Sequence, residues 1–143
     1  MMTTHTGGCM CQAIRFEITG EFLGSGACYC RECQYTCGGG PANAVVVQKW
    51  QMKLLKGQPH THWTKSETGN PIGRSFCAVC GTPLFGMNES RPDYLPIMVG
   101  ALDDPSEFRP MALSWVSSAQ PWHRFDPELP KFDKNIPEPP AKG

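Results

Sequence analysis

The sequence has no excess charge of either sign and no run of basic residues. Thirteen Lys and Arg balance thirteen Asp and Glu over 143 residues. Nucleic-acid binding usually needs a basic surface that displaces counterions from phosphates, so we expect no nucleic-acid partner. No apolar run approaches the roughly 18 residues of a membrane span, so we expect no membrane partner either.

The first residues also lack the features of a secretory signal. They contain neither a charged segment nor an apolar stretch. Thiols persist in a reducing compartment, so we expect a cytoplasmic protein. Around His5 we expect a loose terminus.

Long amphipathic helical patterns are missing as well. Fifteen Gly and fourteen Pro divide the chain into short pieces, which favours a loop-rich single domain with added staples. Period-two alternation predicts strands at 14–18, 22–28, 44–47, 50–54, 60–64, 84–87, 94–99 and 111–116. The predicted class is mostly β with little helix. After Trp122 the proline-rich segment is expected to wrap the surface or to be disordered at its end.

What the sequence does contain is eight cysteines. An even number suggests disulfides, but Cys9-Met10-Cys11 and Cys28-Tyr29-Cys30 leave one residue between thiols, and such bridges would be strained. With no secretory signal, the spacing favours metal binding.

Two pairs of cysteines predict a closed structural zinc site. Cys77-Ala78-Val79-Cys80-Gly81 forms a tight turn that presents two sulfurs to one ion. In an extended chain, Cys9 and Cys11 point to the same face and supply the other two. Such a site would staple the N-terminal region to the middle of the chain.

Cys28, Cys30 and Cys33 predict a second site with an open fourth position. Cys37 follows four residues later, and it either closes this site as a fourth ligand or leaves the position free for water or a substrate thiol. Residues 29–37 are interpreted as a metal-organised turn with space for one helical turn.

Other polar and aromatic residues allow two interpretations each. Arg15, Arg31 and Arg74 lie near ligand cysteines and either balance thiolate charge or form ordinary surface ion pairs. His60, His62 and His123 are not expected to bind metal. Gly38–Gly40 either forms a flexible turn or lets a substrate approach the backbone. Trp115, Trp122 and Phe125 are expected to anchor the core or tail, with Trp122 at the substrate mouth as the alternative.

Three segments together resemble the glutathione-dependent formaldehyde-activating enzyme family, also called the centromere protein V/GFA domain. They are Gly7-Gly8-Cys9-Met10-Cys11 with Arg15, the stretch from Cys28 to Cys33, and Arg74 to Leu84; Gly100 to Pro105 and Pro121-Trp122 also match. The resemblance covers roughly residues 7–132, which we take as the core of one domain over 1–143 with a proline-rich tail at 133–143. It implies a β-tent fold of short antiparallel strands with two zinc ions, the second of which is expected to be labile.

The resemblance also implies a carbon–sulfur lyase that adds glutathione to formaldehyde or a related small aldehyde. Cys9, Cys11, Cys77 and Cys80 match its structural site, and Cys28, Cys30 and Cys33 match its catalytic site. Tyr29, His123 or water would supply the proton, and Arg31, Gly39 and Trp122 are candidates for contacting glutathione. The alternatives are a non-catalytic zinc-binding thiol carrier and a protein-interaction module. The sequence does not determine the oligomeric state.

Overall fold

The structure, a computed structural model, describes residues 2–137. Within this part, the strands are β1 (Thr4–Gly8), β2 (Arg15–Thr19), β3 (Gly24–Cys28), β4 (Ala42–Gln48), β5 (Met52–Lys56), β6 (His60–Lys65), β7 (Pro71–Phe76), β8 (Pro83–Asn88), β9 (Tyr94–Met98) and β10 (Ala112–Ser114). One α-helix, α1, spans Arg31–Thr36, and three 3₁₀-helices span Lys49–Gln51, Val99–Ala101 and Val116–Ser118. The predicted mostly β class with little helix is confirmed.

The strands form two sheets. The smaller sheet has the order β1-β2-β5, and the larger has the order β10-β3-β4-β9-β8-β7-β6. All neighbouring strands are antiparallel except β10, which pairs with β3 in parallel. The connection between β1 and β2 of the smaller sheet therefore contains Cys9 and Cys11, and the other cysteines lie at the end of β3 or in the segments that follow β3 and β7 of the larger sheet.

The main core is built from alternate residues of the strands. Phe16 and Ile18 of β2 are fully buried, as are Val47 of β4 and Ile97 of β9. They belong to one cluster that also contains the buried thiols of Cys9 and Cys77. A period-two strand buries every second side chain, so this core leaves the intervening residues of β4 and β9 for another surface.

The segment after Trp122 packs along β10. The backbone N–H of Leu113 donates to Pro130 and its carbonyl accepts from Phe132, both at 2.9 Å. Tyr29 lies beneath this segment in a second apolar cluster with Ala27 and Leu113. The expectation that the tail wraps the surface is confirmed as far as residue 137, and residues 138–143 lie outside the described part.

Several element boundaries differ from the sequence predictions. The third strand starts at Gly24 rather than at residue 22, and the last is only Ala112–Ser114. The loose terminus expected around His5 is wrong, because His5 lies in β1 and its ring stacks on Phe22 at 4.4 Å. No helix in the described chain is long and apolar enough to cross a membrane.

Candidate metal centres and the adjoining groove

The first group of thiols brings together two distant parts of the chain. The sulfurs of Cys9, Cys11, Cys77 and Cys80 all lie within 4.8 Å of one another. The Sγ atoms of Cys9 and Cys11 are 3.6 Å apart, much farther than a disulfide bond, and all eight cysteines are free. The sequence-predicted set of four therefore forms one group that could hold a metal ion.

Backbone N–H groups donate hydrogen bonds to two of these sulfurs, which stabilises a negative charge on them. The N–H of Ile14 donates to Cys9 Sγ at 3.2 Å, and the N–H groups of Val79 and Cys80 point at Cys77 Sγ at 3.4 and 3.5 Å. Gly81 has φ +80°, which lets its N–H return to the Cys77 carbonyl and close the turn. Both cysteine segments are thus shaped locally for holding thiolates.

Cys11 and Cys80 of this group differ in how readily they ionise. Hydrogen bonds from Thr82 lower the pKa of Cys80 to about 5. An N–H bond from Ala13 favours the Cys11 thiolate, but burial and the neighbouring thiols outweigh it and raise the pKa of Cys11 to about 11. One thiolate in the group therefore discourages the next, and a divalent cation removes this repulsion.

The second group contains Cys28, Cys30 and Cys33. Cys28 ends β3, Cys30 caps the N-terminus of α1, and Cys33 lies in the first turn of that helix. Their sulfurs also lie within 4.8 Å of one another. The helical turn expected within residues 29–37 is present as the six residues of α1, and its organisation by a metal ion stays a prediction.

The same charge pattern appears in this group. Hydrogen bonds from the Cys28 and Cys33 thiols lower the pKa of Cys30 to about 2. The pKa of Cys33 is raised, because Cys28 and Cys30 oppose a further negative charge beside them. The atoms in this group that could bind a metal ion are all sulfurs, with no carboxylate oxygen or imidazole nitrogen among them. Such a set suits soft or borderline metal ions.

Cys37 lies outside this trio of sulfurs. It is the C-cap residue of α1, and its backbone N–H donates to the Cys33 carbonyl at 2.9 Å. Its Sγ lies 3.7 Å from Thr36 Oγ1, and no group of mutually close ligand atoms in the described chain includes it. Cys37 thus ends the helix, and its sulfur is not grouped with those of Cys28, Cys30 and Cys33.

Arg74 is the cation beside the second group. Its guanidinium donates to Glu32 at 3.0 Å and to Thr64 at 3.2 Å. Burial works against its charge, but Cys33 and Glu32 outweigh burial and raise the pKa of Arg74. Arg74 therefore remains charged next to the thiols.

The other two arginines have different neighbours. Arg15 forms an ion pair with Asp103, whose pKa falls to about 2 because Arg15 and Thr6 both donate to its carboxylate. The charge of Cys9 also favours the cationic form of Arg15. Arg31 instead donates to Gln34 at 2.5 Å and lies 4.8 Å from the centre of the Tyr35 ring.

Gln34 is a buried residue that the sequence did not single out. Its Nε2 donates to the carbonyls of Tyr29 at 2.7 Å and Ser118 at 3.0 Å, and its Oε1 accepts from Gln120 at 3.1 Å. It thereby ties the cysteine segment to the region after β10. A lone Gln gives no sequence signal for this role, because two of these partners lie more than 80 positions away.

The remaining sequence candidates, Tyr29, Gly39, Trp122 and His123, form one packed cluster. The Tyr29 ring meets His123 edge-on at 5.0 Å, and Trp122 lies 4.2 Å from the His123 ring. The N–H of Gln120 donates to His123 Nδ1, so Nε2 carries the proton and donates to the Gly39 carbonyl, each at 2.8 Å. Trp122 is 61% exposed and borders Gly39.

His60 and His62 lie on β6 and are exposed. Neither belongs to a group of mutually close ligand atoms among the described residues. The His60 ring packs against Phe76 at 5.3 Å.

A groove of about 900 Å³ adjoins the second thiol group and not the first. Cys28, Cys33 and Arg74 belong to its wall, whereas none of the four thiols of the first group does. Pockets of roughly 300–1,000 Å³ are typical of sites for small organic molecules. The two groups therefore differ in access to this space: thiols of the second group line its wall, whereas in the first group Cys9 and Cys77 are buried and Cys11 is exposed to solvent outside the groove.

Comparison with protein families gives a match over most of the chain. The model of the family described as glutathione-dependent formaldehyde-activating enzyme matches residues 4–118. All seven thiols of the two groups lie within that range.

Two individual proteins are similar to the chain. A protein of Halomonas elongata named putative glutathione-dependent formaldehyde-activating enzyme is 27% identical over 101 residues, which is 68% of this chain. The chain spans 64% of that relative's length. A crystal structure of a Rhodobacter sphaeroides protein has a similar fold, with a TM-score of 0.57 at 21% identity over 73% of this chain and 91% of the other.

Proposed function

Because the chain belongs to the glutathione-dependent formaldehyde-activating enzyme family, we propose that it is a carbon–sulfur lyase that adds the thiol of glutathione to formaldehyde or a related small aldehyde. The observation that carries the proposal is the difference in access between the two thiol groups. A closed four-thiol group suits a structural zinc ion, and a three-thiol group beside a groove suits a zinc ion with a position for substrate. We assign both ions as zinc, because thiolate-only sets favour it among the common divalent metals.

Zinc held by Cys28, Cys30 and Cys33 would supply an environment in which a substrate thiol loses its proton at neutral pH. Three thiolates already exceed the charge of Zn²⁺, so a further anionic sulfur needs a cation nearby. Arg74, which is paired with Glu32, lies beside these thiols, and the groove wall also carries Arg91 and, within the described chain, no acidic residue. This balance of charge suits an anionic peptide such as glutathione.

The proposed reaction is an addition. The sulfur forms a bond to the aldehyde carbon, the carbonyl π bond breaks, and the proton released by the thiol returns to the oxygen. We assign this proton transfer to water. Tyr29 is packed in the second apolar cluster, and both ring nitrogens of His123 already have backbone partners.

The residues that we expected to meet glutathione have less direct support. Arg74 and Cys33 share one groove wall, while Arg31 is engaged with Gln34 and Tyr35. We therefore propose Arg74 as the main cation for the substrate and leave Arg31, Gly39 and Trp122 as secondary candidates near α1. Cytoplasmic thiol chemistry fits eight free cysteines.

The test is turnover of ¹³C-formaldehyde with glutathione, followed by NMR and corrected for the spontaneous reaction. Cys33→Ser should abolish the catalysed rate and reduce zinc from two ions to one per chain while leaving the fold intact. Cys37→Ser, on the same helix but outside the thiol trio, should keep both zinc ions and the rate.

Two outcomes would contradict this proposal. Full turnover in Cys33→Ser with the second zinc absent would remove the three-thiol group from the chemistry. Glutathione binding by the wild type with no rate above the spontaneous one would instead favour the thiol-carrier alternative.

A further inference from the structure

The groove has a length and a floor that formaldehyde does not require. Its floor includes alternate residues of β3, Gly24, Gly26 and Cys28, which face the same side of the strand. Gly24 lies four residue steps from Cys28, a distance of about 13 Å along the strand, so the groove continues about that far beyond the second thiol group. Formaldehyde has a single carbon and would occupy only the end at Cys28.

Small and apolar residues line this extension. In neighbouring strands, Gly26 lies opposite Ala44 and Ala44 opposite Met98. One residue pair farther from the thiols, Val46 lies between Gly24 and Pro96. Glycine and alanine leave the floor low, while Val46, Pro96 and Met98 supply apolar contact.

The far side of the groove is also apolar. Met111, Phe132 and Ile136 line it. Phe132 belongs to the segment that packs along β10. Cationic groups occur at Arg74, beside Cys33, and at Arg91. A polar tripeptide alone would leave most of this surface without a matching partner, because apolar surface gains from contact with apolar groups.

We propose that the groove binds the hydrocarbon chain of an aldehyde whose carbonyl reacts at the three-thiol group. The placement of the carbonyl rests on the proposed function, but the binding of the chain does not. The floor of the groove is continuous from Cys28 to Gly24. It therefore favours an aldehyde whose reacting carbon carries an extended hydrocarbon chain. Affinity should then rise by about three- to fourfold for each added methylene until the chain reaches the end of the groove.

The probes are straight-chain primary alcohols of increasing length, which carry the same arm without an aldehyde or a thiol. Binding is followed on the zinc-loaded full chain through ¹³C-methyl signals of methionine. Met98 and Met111 lie on the groove wall and should shift, whereas Met10 and Met52 lie outside it and should not. A parallel assay measures glutathione-dependent turnover of formaldehyde and of the matching long-chain aldehydes.

Gly24 offers a substitution that shortens the groove. A Cβ at Gly24 meets no atom within 4 Å, so Gly24→Leu has space to extend into the groove without displacing a neighbour. The chain length at which affinity stops rising should become shorter. Gly100→Leu is the matched control, because Gly100 also has open space around it but is exposed on a 3₁₀-helix outside the groove. If Gly24→Leu folds poorly, Gly24→Ala gives a smaller change in the same direction.

Affinity independent of chain length, or equal shifts of Met10 and Met98, would overturn the groove assignment, as would equal effects of Gly24→Leu and Gly100→Leu. If formaldehyde is turned over and the turnover of the longer aldehydes does not depend on their chain length, the proposed function stands and this inference is refuted. Length-dependent alcohol binding without any aldehyde turnover would support the groove and refute the proposed reaction.

Discussion

At the scale of single residues, Arg74 has closer contact with the second thiol group and the groove than the sequence indicated. Three arginines lie near cysteines of the two thiol groups in the sequence, and the pattern does not rank them. In the structure, Arg74 stands beside Cys33 and lines the groove, while Arg31 turns toward Tyr35. The distinction arises because the pairing of β7 with β8 and β6 fixes the direction of Arg74.

Replacing Arg74 by Gln should weaken zinc binding at the second group by roughly tenfold, because groups around metal ligands typically contribute about 10–100-fold to affinity. Competition with a colorimetric chelator measures this affinity, and the zinc of the first group provides an internal reference. Arg31→Gln is the matched control and should leave zinc affinity unchanged. An equal loss in both variants would show that Arg74 has no special role at the thiols.

The two groups of thiols were predictable from the sequence, whereas the buried Gln34 beside the second group was not. Short spacings such as Cys77-x-x-Cys80 constrain geometry so strongly that the two groups follow from local chemistry. Gln34 donates hydrogen bonds to the carbonyls of Tyr29 and Ser118. No local sequence pattern predicts the bond to Ser118, which is 84 positions away.

At the scale of elements, the segment from Cys28 to Gly40 is held by a small hydrogen-bond network. The N–H of Gly39 donates to the Gln34 carbonyl at 2.6 Å, and the Gly39 carbonyl accepts from His123. Gly39 has φ +92°, and a Cβ there would lie 3.4 Å from the Trp122 ring. Its conformation thus connects the end of α1 to the segment after β10.

Gly39→Ala should lower the free energy of unfolding by roughly 1–2 kcal/mol, because a side chain disfavours this left-handed backbone region. Urea unfolding of the zinc-loaded protein measures the change. Gly40→Ala is the neighbouring control, since its backbone is not left-handed and its Cβ would make only an ordinary contact at 3.6 Å. Equal stability of the two variants would contradict the account of Gly39.

Strands with clear alternation were predicted well, and strands without it were missed. Phe16 and Ile18 mark β2, and Val45 and Val47 mark β4, because both strands bury one face. The sequence of β1 has no apolar alternation, and its strand exists through pairing with β2. The parallel pairing of β10 depends on the whole sheet order and has no counterpart in its three residues.

At the scale of the whole molecule, the first thiol group joins the β1–β2 connection to the β7–β8 connection. Its four sulfurs converge although Cys11 and Cys77 are 66 positions apart. Structural zinc contributes an apparent binding free energy of about 10–16 kcal/mol in small peptides, which matches or exceeds the roughly 5–15 kcal/mol stability of a typical domain. We therefore expect the fold to depend on this ion.

This dependence predicts that stability falls as the solution is acidified. Folding lowers the pKa of Cys80 from 9.0 to about 5, so the unfolded chain binds more protons than the folded one between these values. The contribution of Cys80 to stability is therefore fully present above pH 9 and is lost as the pH falls toward 5.

Urea unfolding of the zinc-loaded protein at pH 9, 7.5 and 6 measures this slope. Cys37→Ser should show the same slope as the wild type, because Cys37 belongs to neither thiol group. A stability that stays constant or rises on acidification would exclude the ionised thiol groups as the source of the fold's stability.

The most direct test of two thiol groups with separate roles is stepwise zinc removal, followed by native mass spectrometry and circular dichroism on the same samples. We predict two zinc ions per chain. The first to leave should take glutathione–formaldehyde turnover with it and preserve the β spectrum, and loss of the second should unfold the chain. A folded, active chain without zinc, or covalent S–S links among these cysteines, would contradict the account.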